Sequence, residues 1–195
     1  MSVAILIFAA GNSSRLGRPK QLLDYRGGNL LNRIIAESVF FANEAVVVVT
    51  GSRRQAIEDT IKYEPVFICH NSNWRNGMAS SIQAGLKRLL LLYPGLRSCI
   101  ITVCDQPYLD AEIFHSLAVA QQQTGKGIVT SAYAGGIGVP VLFTDRYFDA
   151  LLQLEGQEGA QKLLVKYKND LAIIPFPKGN IDIDTDEDYN KLINS

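Results

Sequence analysis

A run of glycine, serine and basic residues near the start of the chain has the composition of an anion-binding loop. It contains Gly11, Ser13, Arg15 and Lys20 and follows the apolar run "VAILIF". A glycine lets the backbone approach a ligand closely, and successive N–H groups around residues 10–13 can form a nest for an anion. Arginine can bind phosphate oxygens through two N–H groups, and lysine adds a mobile positive charge. The stretch matches neither the Walker A pattern nor the GxGxxG pattern. The alternative is a surface loop with solvated charges.

Acidic residues lie at the end of one later strand-like segment and within another segment that could be extended. Asp105 ends the run "CIITVCD", and Asp182 and Asp184 belong to "DIDTDED". A carboxylate at the end of a strand can hold Mg²⁺ against phosphate oxygens. Asp182 and Asp184 face the same side if their segment is extended, because side chains alternate along a strand. Two alternatives stay open: Asp105 could only organise the turn after it, and Asp184 could only precede a capping box of Thr185 and Asp188.

A polar stretch in the middle of the chain, "NSNWRNGMASS", leads into a helical pattern that starts at Gly77 and Met78. Gly77 would permit a ligand to approach the backbone closely, and the hydroxyl of Ser80 or Ser81 could form a hydrogen bond to that ligand. The alternative role for the two serines is to cap the helix. We expect Trp74 to pack rather than to bind.

Apolar strand-like runs alternate with helical patterns along the chain. This order predicts a mostly parallel sheet with helices on both faces. Two strands joined through residues 134–136 predict a small antiparallel insertion. In such sheets ligands bind beyond the carboxyl ends of strands, near a switch in strand order. The length of 195 residues fits one domain, which we expect to span residues 1–195.

The composition is that of an ordinary globular protein. Lys and Arg number 19, as do Asp and Glu, so no overall basic field favours nucleic acid or membranes as partners. No run of ~18 apolar residues could span a bilayer, and the first residues lack the positive region of a signal peptide. Cys69, Cys99 and Cys104 have no CxxC spacing and form no metal cluster with His70 and His115. They read as buried thiols in a reducing compartment, so we expect a cytoplasmic localisation.

The opening loop resembles the first motif of a known enzyme family. The stretch "AAGNSSRLGRPKQLL" is similar to A-A-G-x-S-x-R-x-G-x-P-K-x-L-L, which opens the nucleotidyltransferase family that includes the molybdenum-cofactor cytidylyltransferases. Every fixed position is matched. Later stretches resemble further blocks of that family, namely "NSNWRNGMASSIQAGL", "DQP", "GVPVLF", "LEGQEGAQKLL" and "DIDTDEDY". The likeness runs from residue 3 to residue 192 and implies a Rossmann-like three-layer α/β/α fold.

The resemblance also implies a role for each matched residue. In the family the opening loop wraps the triphosphate of a nucleotide, with the lysine on the phosphates. The family's second block lines the pocket for the base and ribose, which implies close approach of the base at Gly77 and a hydrogen bond to it from Ser80 or Ser81. The nucleotide-binding residues implied here are Ala9, Ala10, Gly11, Ser13, Arg15, Lys20, Gly77 and Ser81. Arg15, Lys20 and Asp105 are the implied catalytic residues. Asp105 and Asp184 are the implied ligands of Mg²⁺, with Asp182 as the alternative to Asp184.

The reaction implied by the resemblance moves a nucleoside monophosphate from a nucleoside triphosphate to a phosphorylated small-molecule acceptor and releases pyrophosphate. CTP and molybdopterin, as its molybdenum cofactor, are the preferred pair, and a molybdoenzyme or its chaperone is a further implied partner. The same chemistry with GTP and molybdopterin, or with a sugar 1-phosphate as acceptor, is the nearest alternative. A catalytically silent nucleotide-binding or sensor domain is an alternative of another class.

Two positions depart from the family pattern. Many members carry G-H-P where this chain has Gly138-Val139-Pro140, and the family's G-D-x-G-A reads Gly156-Gln157-Glu158-Gly159-Ala160 here. Val139 and Gln157 therefore replace a histidine and an aspartate. Both positions are expected in the acceptor half of the site, which predicts ordinary nucleotide binding with altered selection of the acceptor.

Overall fold

The computed structural model describes residues 3–42, 45–61 and 66–194. The strands are β1 (Val3–Ala9), β2 (Asp24–Tyr25), β3 (Gly28–Asn29), β4 (Val46–Thr50), β5 (Phe67–His70), β6 (Ser98–Val103), β7 (Ile128–Tyr133), β8 (Gly136–Thr144) and β9 (Leu171–Pro175). The helices are α1 (Leu30–Ala42), α2 (Arg54–Glu58), α3 (Met78–Leu92), α4 (Ala111–Thr124), α5 (Phe148–Leu152), α6 (Gln161–Lys166) and α7 (Asp186–Ile193). None of the helices in the described ranges has the length and apolar character needed to cross a membrane.

Seven strands form one sheet in the order β5-β4-β1-β6-β8-β7-β9. β8 is antiparallel to both of its neighbours, and the other neighbouring pairs are parallel. The chain places β4 and β5 on one side of β1 and then returns to place β6 on the other side. The strand order therefore reverses at β1, and the loops that follow β1 and β6 emerge side by side at the edge where ligands bind in such sheets.

The core lies on both faces of the sheet because β1 is apolar at every position. Leu6 and Phe8 pack on one face with helix α3, through residues such as Leu86. Ile5 and Ile7 pack on the other face with helices α1 and α4. Side chains alternate between faces along a strand, so a continuous apolar run is what a strand covered on both sides requires.

The predicted mostly parallel sheet with helices on both faces and an antiparallel pair near residue 135 is confirmed. The sequence predicts two helix caps, Asp110 before one helical pattern and Thr185 with Asp188 at the last one, and both are confirmed. The side chain of Asp110 accepts a hydrogen bond from the N–H of Ile113 at the start of α4, and Thr185 and Asp188 form a reciprocal capping box on α7.

The run "PVFICH" predicts a strand over residues 65–70, and the structure has it from Phe67 to His70. The run "RQAIEDTIK" predicts a helix over residues 54–62, and the structure has it from Arg54 to Glu58. Residues 62 and 65 lie outside the described residues.

A short hairpin, which was not predicted from the sequence, leads into α1. Asp24 pairs with Asn29 and Tyr25 with Gly28 in antiparallel register. The connecting residues Arg26 and Gly27 both have positive φ, of 52° and 79°. That combination is typical of a tight two-residue hairpin turn, which the Arg-Gly-Gly stretch could have indicated.

Candidate active site

The loop after β1 is held in place by a buried glutamine. The amide nitrogen of Gln21 donates hydrogen bonds of 3.0 Å to the backbone oxygens of both Ala9 and Gly11. Ser13 adopts a φ of 50°, and its hydroxyl oxygen accepts a 3.0 Å hydrogen bond from the N–H of Lys20. Gln21 and Ser13 therefore fold the loop back so that Lys20 returns to the edge of the sheet. The sequence analysis did not single out Gln21.

Lys20 joins two carboxylates that are far away in the sequence. Its Nζ donates to Asp105 Oδ2 and, at 3.1 Å, to Asp184 Oδ1, across 85 and 164 residues respectively. The other oxygen of Asp184 lies 2.7 Å from the guanidinium of Arg15. Burial lowers the pKa of Lys20, but the charge of Asp105 and the hydrogen bonds to both carboxylates outweigh it, so the pKa is raised overall. The ammonium group is thus firmly charged at neutral pH.

The donor set beside Lys20 fits a hard cation that keeps most of its water. Asp105 Oδ1 is buried and finds no hydrogen-bond partner in the described part of the chain, so one oxygen of this carboxylate remains unsatisfied there. Among the described residues, no group of three or more His, Cys, Asp or Glu side chains could hold a metal ion by itself. Mg²⁺ commonly takes one or two carboxylates together with substrate phosphates and waters. Asp105 and Asp184 match that sparse set.

Asp182 occupies a different environment from Asp184. The residue is exposed, and no cation pairs with it among the described contacts. Although the residue as a whole is exposed, the surrounding protein keeps part of the water away from its carboxyl group. This loss of water, followed by the charge of Asp105, raises the pKa of Asp182 to about 6. The charge of Asp105 therefore acts on Asp182 from a distance, whereas Asp184 is itself a member of the ion-pair cluster with Lys20 and Arg15.

A cavity of about 390 Å³ opens beside this cluster. Six of the residues predicted to bind or react line it, namely Ala10, Gly11, Lys20, Gly77, Ser81 and Asp105. Ala9 is buried, Ser13 folds the loop, and Arg15 and Asp184 form their ion pair outside the cavity lining. The structure thus gathers into one place residues from the loop after β1, the start of α3 and the end of β6.

The cavity lining also contains residues that were not predicted there. Among them are Asn12, Trp74, Arg75 and Gln157. The guanidinium carbon of Arg75 lies 4.7 Å from the centre of the Trp74 ring. Trp74, expected only to pack, therefore belongs to the cavity wall. Val139 lines an adjoining, mainly apolar recess of about 240 Å³ that shares Phe8, Met78 and Val103 with this cavity. That Val139 and Gln157 both lie in the acceptor half of the site stays a prediction.

Gly77 is required by the protein's own backbone. It has a φ of 102°, and a Cβ atom added to it would lie 2.2 Å from the backbone oxygen of Gly156. That oxygen also accepts a hydrogen bond from the N–H of Ala79. The predicted reason for this glycine was close approach of a base, whereas the structure shows close approach of the segment that carries Gln157.

The serines at the start of α3 do not cap it, since the N-cap residue is Gly77. The side chain of Asn71 donates to the hydroxyl oxygens of Ser80 and Ser81 at 2.8 and 3.0 Å. The hydroxyl of Ser80 in turn lies 2.8 Å from the backbone oxygen of Gly77, to which it donates. Ser81 lines the cavity, so of the two serines it is the one available to a ligand there.

Replacing Gly77 by alanine should destabilise the protein. The substitution forces a non-glycine residue into a left-handed conformation and presses a Cβ atom against the backbone of Gly156. We expect a loss of about 1–3 kcal/mol in the free energy of unfolding. Urea denaturation would measure it, with Gly95→Ala as the control, because nothing lies within 4 Å of a Cβ atom at Gly95. Equal stability of the two variants would contradict this account of Gly77.

The sheet order and the Lys20–Asp105–Asp184 cluster at the reversal point suit a nucleotidyltransferase, and the comparison with known families shows that class. The chain belongs to the family of MobA-like NTP transferase domains, whose profile matches residues 5–171.

Several known proteins are similar to this chain. Molybdenum cofactor cytidylyltransferase of Escherichia coli (strain K12) is 23% identical over 189 residues, which cover 96% of this chain and 94% of that protein. The crystal structure of Rv0371c from Mycobacterium tuberculosis H37Rv has the same fold, with a TM-score of 0.85 at 24% identity and coverage of 100% and 99% of the two chains. A crystal structure of Rv0371c in complex with manganese superposes with a TM-score of 0.77 at 22% identity, covering 100% of both chains. Nicotine blue oxidoreductase of Paenarthrobacter nicotinovorans is 40% identical, but over 81 residues that cover 41% of this chain and 40% of that protein.

Proposed function

We propose that this protein transfers a nucleoside monophosphate from CTP to the phosphate group of molybdopterin, as its molybdenum cofactor, with release of pyrophosphate. The observation that carries the proposal is the cluster of Lys20, Asp105 and Asp184 at the edge of the cavity. A cavity beside a half-buried cation and two carboxylates suits binding of a nucleotide and transfer at its phosphate. The choice of CTP and molybdopterin is supported by the likeness to the cytidylyltransferase of Escherichia coli.

The bond changes of this reaction need no general base. An oxygen of the acceptor's phosphate forms a bond to the α-phosphorus of the nucleotide, and the bond from that phosphorus to the bridging oxygen breaks as pyrophosphate leaves. A phosphate monoester has its second pKa near ~6, so the attacking oxygen is already ionised at neutral pH. Catalysis then rests on holding the two phosphates in line and on stabilising the charge that develops.

Different residues of this chain would bind the phosphates, stabilise their charge and hold the metal ion. The backbone N–H groups of residues 10–13 and the guanidinium of Arg15 would bind phosphate oxygens, and Lys20 would stabilise negative charge on the phosphates. Asp105 and Asp184 would hold Mg²⁺, which neutralises charge on the phosphates when it is bound. The unsatisfied oxygen of Asp105 and the manganese complex of Rv0371c support a divalent cation here.

A panel of the four nucleoside triphosphates with each acceptor would test the proposal. Pyrophosphate release should require Mg²⁺, a triphosphate and a phosphorylated acceptor together, and should be fastest with CTP and molybdopterin. Faster release with GTP, or with a sugar 1-phosphate, would replace the proposed pair by one of those alternatives. Binding of a triphosphate without any turnover would instead identify a silent nucleotide-binding domain.

Asp184→Ala should lower turnover more than Asp182→Ala. The Asp184 carboxylate contacts both Lys20 and Arg15, whereas Asp182 is exposed and pairs with neither of them in the described structure. We expect a loss of about 10²-fold or more in kcat for Asp184→Ala, and a smaller loss for Asp182→Ala. The assay is initial-rate pyrophosphate release over a range of Mg²⁺ concentrations. A larger defect in Asp182→Ala would make Asp182 the second metal ligand.

We expect Val139 and Gln157 to affect different substrates, because Val139 lines the apolar recess and Gln157 lines the adjoining cavity beside Lys20. Val139→His introduces a hydrogen-bonding group into the apolar recess and should raise the use of molybdopterin relative to a sugar 1-phosphate. Gln157→Asp places a negative charge in the cavity proposed for the triphosphate. Repulsion of about 1 kcal/mol would raise KM for CTP about fivefold and leave the acceptor ratio unchanged. Steady-state kinetics of the two single variants would separate these effects, and a shift in acceptor ratio from Gln157→Asp alone would contradict the division.

A further inference from the structure

A groove of about 870 Å³ lies between the β2–β3 hairpin, the loop after β6 and the last turns of α7. Its lining residues are distinct from those of the cavity beside Lys20. Its volume falls within the range of ~300–1,000 Å³ that is usual for small-molecule sites. We propose that this groove binds a planar aromatic anion, meaning a flat ring that carries a phosphate or carboxylate group.

Positive charge at the groove favours the anionic part of such a ligand. Arg26 and Lys178 both line it, and within the described residues neither side chain forms an ion pair. Helix α1 begins at the same place, after Asn29, so the positive end of its dipole adds to the potential. Among the described residues that line the groove, Asp24 is the only carboxylate, and it is exposed to solvent.

Tyrosine side chains close to the two cations favour a ligand that also contains a planar ring. The Nζ of Lys178 lies 4.5 Å from the centre of the Tyr108 ring, and the guanidinium carbon of Arg26 lies 5.1 Å from that of Tyr25. Each of these cations lies over one face of its tyrosine, and Tyr25 is 8% exposed. The half-buried Tyr108 and Tyr189 are therefore the rings against which a flat ligand can pack while its anionic group pairs with Lys178 or Arg26. Tyr189 forms another wall and is fixed there, because its hydroxyl donates a 2.8 Å hydrogen bond to the backbone oxygen of Asp24.

An unsatisfied amide oxygen marks the inner part of the groove. Asn32 is 6% exposed and lines the groove, and its Nδ2 donates a 2.7 Å hydrogen bond to the backbone oxygen of Thr60. Among the described residues, its Oδ1 is buried and has no hydrogen-bond partner. A buried acceptor without a partner costs free energy, and a ligand with a ring N–H or amino group would recover it if a shift of the Asn32 side chain brought Oδ1 to the groove. The ligand class is therefore an anionic aromatic ring, with a hydrogen-bond donor on the ring as the better-fitting form.

Titration of the full chain with 1-naphthyl phosphate would test the proposal, with the fluorescence of this probe as the measured signal. Saturable binding is expected, and Arg26→Gln and Lys178→Gln should each raise Kd about tenfold or more, because each removes a charged partner of the phosphate. Lys87→Gln is the matched control, since Lys87 is exposed on α3 away from the groove lining, and its Kd should equal that of the wild type. Cyclohexyl phosphate, which has the same charge but no aromatic ring, should bind about 2–10-fold more weakly.

Three results would overturn the proposal. They are absence of saturable binding, equal Kd values for Lys178→Gln and Lys87→Gln, and loss of binding in Lys20→Ala, which would place the probe in the other cavity. The titration needs neither nucleotide nor turnover, so its outcome is independent of the reaction proposed above. Circular dichroism of each variant would confirm that the fold is retained.

Discussion

Replacing Lys20 by alanine should lower kcat for pyrophosphate release by about 10²–10³-fold while the fold is retained. The Nζ of Lys20 is the cation that contacts both Asp105 and Asp184, and it lines the cavity proposed for the triphosphate. Removal of this cation takes away a preorganised positive charge at the position where negative charge would develop. It also leaves the two carboxylates without their shared partner, which should weaken binding of the nucleotide through added repulsion.

The measurement compares initial rates of pyrophosphate release for wild type, Lys20→Ala and Lys87→Ala. Lys87 is an exposed lysine on α3, so its replacement changes the net charge equally without touching the cavity. Urea unfolding of the same variants would show whether each remains folded at the assay temperature. Turnover of folded Lys20→Ala at the wild-type rate would rule out a role for this lysine on the phosphates.

Asp105→Asn should remove most Mg²⁺-dependent turnover, with a loss of about 10²-fold or more in kcat. Asparagine has the same shape but carries no charge, so it keeps the space filled while it weakens the site for a hard cation. It also removes the main partner of the Lys20 ammonium. Some affinity for the nucleotide should remain, because the loop after β1 is held by Gln21 and Ser13, which the substitution does not touch.

The comparison for Asp105→Asn is Asp149→Asn, a change of the same kind at an exposed residue of α5. Turnover would be measured as a function of Mg²⁺ concentration, together with CTP affinity by calorimetry. Activity of the wild type that persists in excess EDTA would show that the carboxylates serve the fold or the lysine rather than a metal ion.

The sequence by itself indicated the fold and one side of the site, because the signals for both are local. An apolar run such as β1 must be covered on both faces, and the alternation of such runs with helical patterns leaves few arrangements other than a layered sheet. The residue types in the loop after β1 also indicated anion binding without any knowledge of their partners. Asp110 and Thr185 could be read as helix caps, since a cap is a contact over three residues.

Only the tertiary structure decided which distant residues meet. Lys20 contacts carboxylates 85 and 164 residues away, and no local pattern states that these three segments end at the same edge of the sheet. The position of Gln157 beside Gly77 likewise depends on how the segment after α5 folds back over α3, which a pattern of residue types does not specify. The groove beside the β2–β3 hairpin is formed by parts of the chain that are far apart in sequence, including Tyr25, Tyr108 and Lys178. Periodicity and capping reveal contacts between near neighbours, whereas a cavity depends on the order of the strands and on packing between segments that are distant along the chain.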